Sequence, residues 1–463
     1  MADGATRDQA DGHRPLRVAV IGSGPAGVYA VQALLAADRD ISVDVVDRLP
    51  TPFGLVRYGV APDHPKIKSI SRVLARVLES PRARFLGNVQ YGVDLDAEDL
   101  RRHYDAVVHA TGCPQDRKMG VPGEDLPGSS PAAMFIDWYN GHPDGPAQFP
   151  LTAREVAVVG AGNVALDAAR MLVTRPEELG RTDVPDGVLG AYRDNRVTDV
   201  YVFARRGPEH AKFTTPELRE LADLPDVDLL VDAADLPPEH EDDEDRYDRM
   251  VRHNLDTLRS WVDRPRTAAP RRVHLCFWSR PCEIGGDDAV ATIQVERTAL
   301  VDGRVTGTGE YRTVEVQAVL RAVGYGAAPL PGLPFDKATG SIPHVDGRVV
   351  GDAEHPLTGV YVAGWIKRGP IGVIGTNKHD AAETVATLLA DADTLPPAPR
   401  PAPDEVTDLL TARGVRHTSW EGWLRLERHE KQDGERQDRP AVKVADRRTM
   451  LDLSSAPADQ PPA

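Results

Sequence analysis

Two glycine-rich loops constrain this chain of 463 residues more than any other feature: GSGPAG from Gly22 to Gly27 and GAGNVA from Gly160 to Ala165. Each follows an apolar run that reads as a buried strand (Arg17 to Ile21, Glu155 to Val159) and opens a helical stretch (Ala26 to Leu35, Ala165 to Val173). A strand, a tight glycine turn and a helix N-terminus make an anion cradle, because free backbone amides and the helix dipole point at one place. One such loop is weak evidence. Two of them in strand-loop-helix context predict two dinucleotides, a flavin and a nicotinamide sharing one active site, and therefore electron transfer.

In the first loop Gly22 permits the turn, Gly24 lets backbone approach a pyrophosphate, and Gly27 lets helix and strand pack closely. A second strand, Ser42 to Val46, ends at Asp47, about 20 residues beyond the loop, where an acid accepts hydrogen bonds from ribose hydroxyls. The second unit has no acid there, since its strand Asp199 to Ala204 ends in Arg205 and Arg206. Two guanidinium groups suit a 2′-phosphate, which points to NADPH in the second loop and FAD in the first. The other reading of Arg205 and Arg206 is a charged surface pair at a strand end.

With 41% hydrophobic and 27% charged residues, the composition is that of a soluble globular chain with room for two or three domains. Apolar runs such as Val156 to Val159 fall far short of the roughly 18 residues of a membrane span, and the first residues show no signal-peptide pattern. A cytoplasmic protein with no membrane partner is the expectation. Cys113, Cys276 and Cys282 form no CxxC pair and no ligand cluster, so no redox disulfide, metal site or internal iron-sulfur centre is expected. A net charge of −16 argues against nucleic-acid binding. The charge is uneven, however: an acidic stretch from Asp232 to Asp245 runs into an arginine-rich one from Arg246 to Arg272 that includes Arg249 and Arg252. That stretch is either a docking face for an acidic partner or a solvated helix.

The order of elements predicts an α/β fold of two Rossmann-like dinucleotide-binding domains, the NADP domain inserted in the FAD domain. The FAD domain is expected over 15–113 and 324–453, and the NADP domain over 114–323, with disordered ends at 1–14 and 454–463. Strands Tyr104 to Thr111 and Ala318 to Val323, the run GVYVAGW from Gly359 to Trp365 and a helix over Asp380 to Leu389 mark the crossings, and Pro396 to Pro403 reads as a linker.

The segments LPTPFGLVRYGVAPDHPKIKSI (Leu49 to Ile70), GAGNVALDAARML, ARRGPEHAKFTTPELREL and GWIKRGPIGVIGTNKHDA (Gly364 to Ala381) resemble the adrenodoxin reductase family, ferredoxin-NADP reductases built like glutathione reductase. The resemblance runs from about Arg17 to Ala445. It implies an FAD enzyme that takes hydride from NADPH and passes electrons singly to an acidic ferredoxin-type iron-sulfur protein. It also implies FAD contacts at Ala26, Asp47, Leu55, Val89, Trp365, Gly372, Val373 and Ile374. NADPH contacts are implied at Ala161, Gly162, Asn163, Val164, Arg205, Arg206 and Glu217, with Gly372 near both cofactors. His64 and Glu220 match a pair beside nicotinamide and flavin that affects turnover and proton handling. Taken without the resemblance, His64 is a loop histidine, either solvated or titrating beside Glu220. Arg246, Arg249 and Arg252 become the partner face.

Three departures stand out. Asp47 replaces the usual Glu, one methylene shorter, and the ribose contact is expected to survive; Phe53 stands for a common Trp, and Ile371 for a common Thr. Other readings are the flavin subunit of a larger iron-sulfur complex of the glutamate synthase small-subunit type, whose N-terminal cysteine clusters the sequence lacks, and an FAD monooxygenase, whose FxGxxxH signature is missing. A nucleotide-binding sensor without turnover is the third.

Overall fold

A computed structural model describes residues 14–239, 246–262, 264–351 and 355–455. The first sheet is built from β1 (Leu16–Ile21), β2 (Ile41–Asp47), β3 (Ala83–Gly87) and β4 (Ala106–His109), joined after a long interval by Pro356–Val362. These five strands are parallel, in the spatial order Pro356–Val362, β4, β1, β2, β3, and an antiparallel hairpin, His344–Val345 with Arg348–Val350, extends the edge beside Pro356–Val362. All six residues of β1 are buried, as a parallel strand covered on both faces requires. Helix α1 (Pro25–Leu35) and the helix Thr376–Asp391 pack together over one face. The chain leaves β1 towards β2 on one side and β4 lies on the other, so a crevice opens at the carboxyl end of β1.

A second sheet repeats the plan with six parallel strands in the order Ser129–Pro131, Ala318–Arg321, β5 (Glu155–Val159), β6 (Asp199–Phe203), Arg271–Cys276, Val227–Val231. Helices α2 (Asn163–Val173), α3 (Thr215–Ala222) and α4 (Arg249–Val262) cover it. A three-stranded antiparallel sheet, Ser279–Gly285, Thr292–Val301 and Arg304–Glu315, shares a core with it through Ala157, Phe203, Ile293 and Val314. The two chain crossings between the sheets pair with each other, Gln115–Asp116 antiparallel to Tyr325–Gly326.

After the second sheet is complete the chain stays with the first. Helices α5 (Trp420–Glu435) and α6 (Arg447–Ser455) bring Trp420, Trp423 and Met450 into its core, with both indoles edge-on to Phe53 at 6.4 and 6.0 Å. The ends therefore differ from the expected disordered segments. Arg14 is in place, its Nη1 2.6 Å from Asp105, and residues 1–13 lie outside the described residues. Ser454 and Ser455 finish α6; Ser454 is buried and its carbonyl accepts from Arg425 Nε at 3.2 Å, while 456–463 lie outside the described residues. The proline-rich run is tied down rather than free, since Ala398 N–H donates to Asp105 and Arg400 N–H to the Arg102 carbonyl, both at 2.8 Å. No helix among the described residues is long and apolar enough to cross a membrane.

Two carboxyls meet near the crossing. Burial raises Asp116 to about 6, and burial together with the Asp116 charge raises Asp137, on the helix Ala132–Tyr139, to about 7. A carboxyl whose folded pKa exceeds its unfolded value favours the folded state most at low pH, and that contribution is lost as pH rises through the folded pKa. Asp137→Asn is neutral throughout, so its thermal midpoint should gain on the parent from about pH 4 to about pH 7 and hold a constant lead above that. Melting curves across this range check it; a difference independent of pH would show that Asp137 does not titrate this way.

Candidate active site at the two glycine loops

The three glycines of the first loop do different work. A Cβ on Gly22 (φ +109°) would lie 2.5 Å from the Ala110 carbonyl oxygen, and one on Gly27 1.8 Å from that of Gly22, so both positions are closed by packing. A Cβ on Gly24 would meet nothing within 4 Å, which leaves the backbone open to a ligand. Helix α1 begins there with Pro25, has no side-chain cap and carries no acid in its first turn, so its positive end is uncompensated.

Asp47 is buried at the end of β2 and drawn onto the loop: Oδ2 accepts from Ser23 N at 2.7 Å and Ser23 Oγ at 2.5 Å, and Oδ1 from Leu49 N at 2.9 Å. One acceptor position on Oδ1 is left for a ribose hydroxyl. Phe53, held at φ +82° between the indoles, donates its N–H to the Ser23 carbonyl at 3.0 Å, and Gly54 rests on Gly24. Val89 is fully buried, its N–H on the Asp47 carbonyl at 2.8 Å.

The returning segment closes the other side. Gly364 (φ +78°) crosses the start of α1 so closely that a Cβ would lie 2.5 Å from that of Ala26. Asp380 holds this turn, accepting from Gly364 N at 2.5 Å and Arg368 Nη1 at 2.9 Å, with Lys367 Nζ 2.9 Å from its other oxygen. Lys367 and Arg368 therefore face inward. Trp365 leans on Tyr325 with ring centroids 6.0 Å apart, and Ile374 packs on the core. Three apolar side chains nonetheless stay exposed: Leu55 at 43%, Ile371 at 70% and Val373 at 67%, the last two flanking Gly372 (φ +90°). Beside Gly22, buried Thr111 Oγ1 has no hydrogen-bond partner among the described residues. Open backbone, an uncapped helix, a spare hydroxyl and bare apolar side chains fit a ligand with an anionic middle and a flat apolar ring, as FAD has.

The second loop follows the same logic. A Cβ on Gly160 would lie 2.4 Å from the Ala322 carbonyl oxygen, while Gly162 faces open space and α2 starts with neither cap nor acid. Asn163 Oδ1 accepts from Thr214 N, and the Ala161 carbonyl from Lys212 N, both at 2.8 Å, which ties the loop to the approach of α3; Val164 packs on the core. Arg205 and Arg206 are exposed and form no ion pair among the described residues. Their carbonyls are pinned, Arg205 by Thr298 Oγ1 at 3.0 Å and Arg206 by Trp278 N at 3.2 Å, so backbone is fixed and both guanidinium groups are free for a phosphate.

Between the two sheets lies a cluster that the sequence shows only in part. His64 is buried, not solvated, and its Nε2 is 3.1 Å from Glu220 Oε2. That oxygen has no aligned hydrogen-bond donor, because Nε2 instead accepts from Arg170 Nη2 at 2.5 Å. Arg170, buried on α2, also pairs with Asp63 and, at 2.8 Å, with Asp167. Glu217 stands nearby, its Oε2 without a hydrogen-bond partner among the described residues, and burial raises its pKa. Asp63, Asp167 and Arg170 escaped the sequence reading; the signal for the last two is DAAR shortly after the glycine loop, with Asp167 and Arg170 three apart on one helical face.

The arginine-rich stretch divides. Arg246 and Arg249 are exposed and Arg252 is half-buried, all at the start of α4 or just before it. Arg271 and Arg272 do not belong to that face: they lie on a strand of the second sheet, where Arg271 donates to the Val173 and Thr174 carbonyls and Arg272 grips Asp199 with two hydrogen bonds of 2.6 Å. The acidic stretch is also not uniformly solvated, since Asp235 is buried and accepts from Phe277 N and Arg297; 240–245 lie outside the described residues.

Residues 16–206 match the pyridine nucleotide-disulphide oxidoreductase family. NADPH-ferredoxin reductase FprA of Mycobacterium tuberculosis is 43% identical over 455 residues, covering 95% of this chain and 99% of the relative. Mitochondrial NADPH:adrenodoxin oxidoreductase of Mus musculus is 38% identical, covering 94% and 91%. The solved structure of the M. tuberculosis protein in complex with NADPH superimposes with a TM-score of 0.89 over 96% of this chain and 100% of that one. The chain thus belongs to the adrenodoxin reductase family of NADPH-dependent ferredoxin reductases.

Proposed function

We propose that this protein moves electrons from NADPH through FAD to a ferredoxin-type iron-sulfur protein. The observation that carries the reading is the opposite chemistry of two open, uncapped loops: a buried acid, Asp47, beside Gly24, and two free cations, Arg205 and Arg206, beside Gly162. Bound FAD supplies the conversion of a two-electron hydride into single electrons. The chain positions the partners: Ser23 with Asp47 holds the first loop, Gly364 and Asp380 hold the segment Trp365 to Ile374 against it, and Ala161 to Val164 with Glu217 line the nicotinamide side. In this reading 15–113 and 324–453 form the FAD domain, and 114–323 the NADP domain.

His64 and Glu220 handle the proton. Nε2 lies between an arginine, which can only donate, and a carboxylate, Arg170 Nη2 at 2.5 Å and Glu220 Oε2 at 3.1 Å. His64→Ala is expected to keep FAD and NADPH binding, to slow flavin reduction and to change its pH dependence, measured in single-turnover mixing; an unchanged rate and profile would remove the role.

Arg246, Arg249 and Arg252 form the docking face for an acidic iron-sulfur protein, supported by the exposed Arg246 and Arg249 and the half-buried Arg252 gathered at one helix start on a chain of net charge −16. The absence of a spanning helix among the described residues is compatible with a cytoplasmic location. The test is cytochrome c reduction by the purified flavoprotein, with NADPH or NADH, with and without an acidic ferredoxin, over a range of salt. Ferredoxin-dependent turnover that favours NADPH and weakens steeply as the Debye length shrinks to about 10 Å supports the reading. Salt-independent turnover would exclude the arginine face, and failure with several ferredoxins would point to another acceptor.

A further inference from the structure

We propose that the segment between α5 and α6 is an interdomain clasp, with Lys443 as a positioning residue that sets the angle between the two nucleotide-binding sheets. Both ends of this segment are anchored on the first sheet, through Trp423 and Leu426 before it and Met450 after it. Its middle reaches the second. Arg439, with its side chain 2% exposed, donates to the Thr182 carbonyl at 3.2 Å, to that of Val184, and to Asp186 at 2.8 Å. Lys443, 3% exposed, lies over the Tyr58 ring and places Nζ 2.8 Å from the Arg57 carbonyl on the first unit, and 3.3 Å from Asn140 Oδ1 and 3.5 Å from Asp183 on the second. Asp183 also accepts from Lys68 of the first unit at 2.8 and 3.0 Å. One acid of the second unit is thus held between two lysines of the first, which draw its carboxyl below the usual range against the effect of burial, while burial pulls Lys443 down and Asp183 opposes that.

Such a joint is directional. Hydrogen bonds between buried charges fix geometry, because moving either partner leaves a charge unpaired in a dry place. Among the described residues, this segment joins the paired crossing strands and the His64 cluster as a place where the two units grip each other with buried polar groups. The inference rests on the reading that FAD lies on the first unit and NADPH on the second. A small tilt then displaces the reacting atoms without touching either nucleotide's own contacts, and misplacement by about 1 Å costs on the order of a hundredfold in rate.

Lys443→Met is the test. In single-turnover mixing of the FAD-loaded enzyme, flavin reduction by NADPH should slow by about ten- to a hundredfold, while flavin content and NADPH affinity stay within about threefold. Lys443→Arg should restore most of the rate. A second readout needs no turnover: spin labels at Val93→Cys on the first unit and Tyr311→Cys on the second, with Cys276 and Cys282 replaced by serine, should report a broader interdomain distance distribution in Lys443→Met than in the parent. If Lys443→Met does not fold, Lys443→Gln, which leaves Asp183 paired with Lys68, takes its place. An unchanged distance distribution overturns the clasp. A broader distribution with an unchanged rate overturns its role in alignment, and parallel loss of flavin and NADPH binding would make Lys443 merely structural. If the cofactor assignment fails instead, the parent itself will show no NADPH-dependent reduction while the label measurement still reports on the joint.

Discussion

Arg205→Ala lowers kcat/KM for NADPH by at least about tenfold, and the double change with Arg206→Ala by about a hundredfold, whereas kcat/KM for NADH moves by less than about twofold. The guanidinium groups are exposed, form no ion pair among the described residues and hang from backbone fixed by Thr298 and Trp278. Among the described residues no hydrogen bond or ion pair is lost with the side chain, so the effect falls on whatever anion it meets. A charge-assisted hydrogen bond is worth about 1.5–3 kcal/mol, and about 1.4 kcal/mol is a factor of ten. Arg205→Lys should recover only part, since an ammonium cannot make the planar two-pronged contact. Initial rates with both nucleotides decide it; an equal loss with NADPH and NADH would place the 2′-phosphate elsewhere.

Gly27→Ala yields protein without stably bound flavin. The added methyl would lie 1.8 Å from the Gly22 carbonyl oxygen, so α1 must retreat from β1 or the loop must open. Either movement displaces the backbone N–H groups that face the ligand, and overpacking of this kind costs about 1–3 kcal/mol in the fold as well. Gly24→Ala makes the informative contrast. Its methyl meets no protein atom within 4 Å, so stability without flavin should hold while flavin content falls, because the methyl occupies the ligand's own space. NADPH binding at the second loop should survive in both variants. Flavin per chain and the thermal midpoint separate the two outcomes; a yellow, normally melting Gly27→Ala protein would mean the first loop is not a close-packed cradle.

What the sequence made legible is what local chemistry writes down. Glycines with forced geometry, apolar runs for strands covered on both faces, and Arg205 and Arg206 in place of an acid each bear on their near neighbours, and short-range patterns record them. The helix predicted over Asp380 to Leu389 was found but begins four residues earlier, at Thr376, because its first turn is set by the loop that holds Gly364 and Arg368 rather than by apolar spacing. Contacts between distant segments left no such trace. Arg170 reads as one more polar position on an amphipathic helix, and only the fold shows it against Asp63 and His64. Arg271 and Arg272 read as part of a basic surface by composition, yet they sit where a parallel strand needs side chains to satisfy a neighbouring acid and two carbonyls. Lys443 is a solvent residue by type, and it is buried because two domains close over it. Asp47 shows both sides: its position at the strand end was legible, and the hydrogen bonds that turn it onto Ser23 were not.

The topology of the first sheet also orders events in time. Strand β4 has β1 on one side, but its other neighbour, Pro356–Val362, is made only after every strand of the second sheet has been translated. On the ribosome the inserted unit is complete first and can close around its own contiguous segments, while β4 waits with an unpaired edge. The flavin-binding half, although it begins the chain, is therefore the last part to become native, and variants that slow the arrival or docking of Pro356–Val362 should cost yield during synthesis far more than they cost the stability of the finished protein.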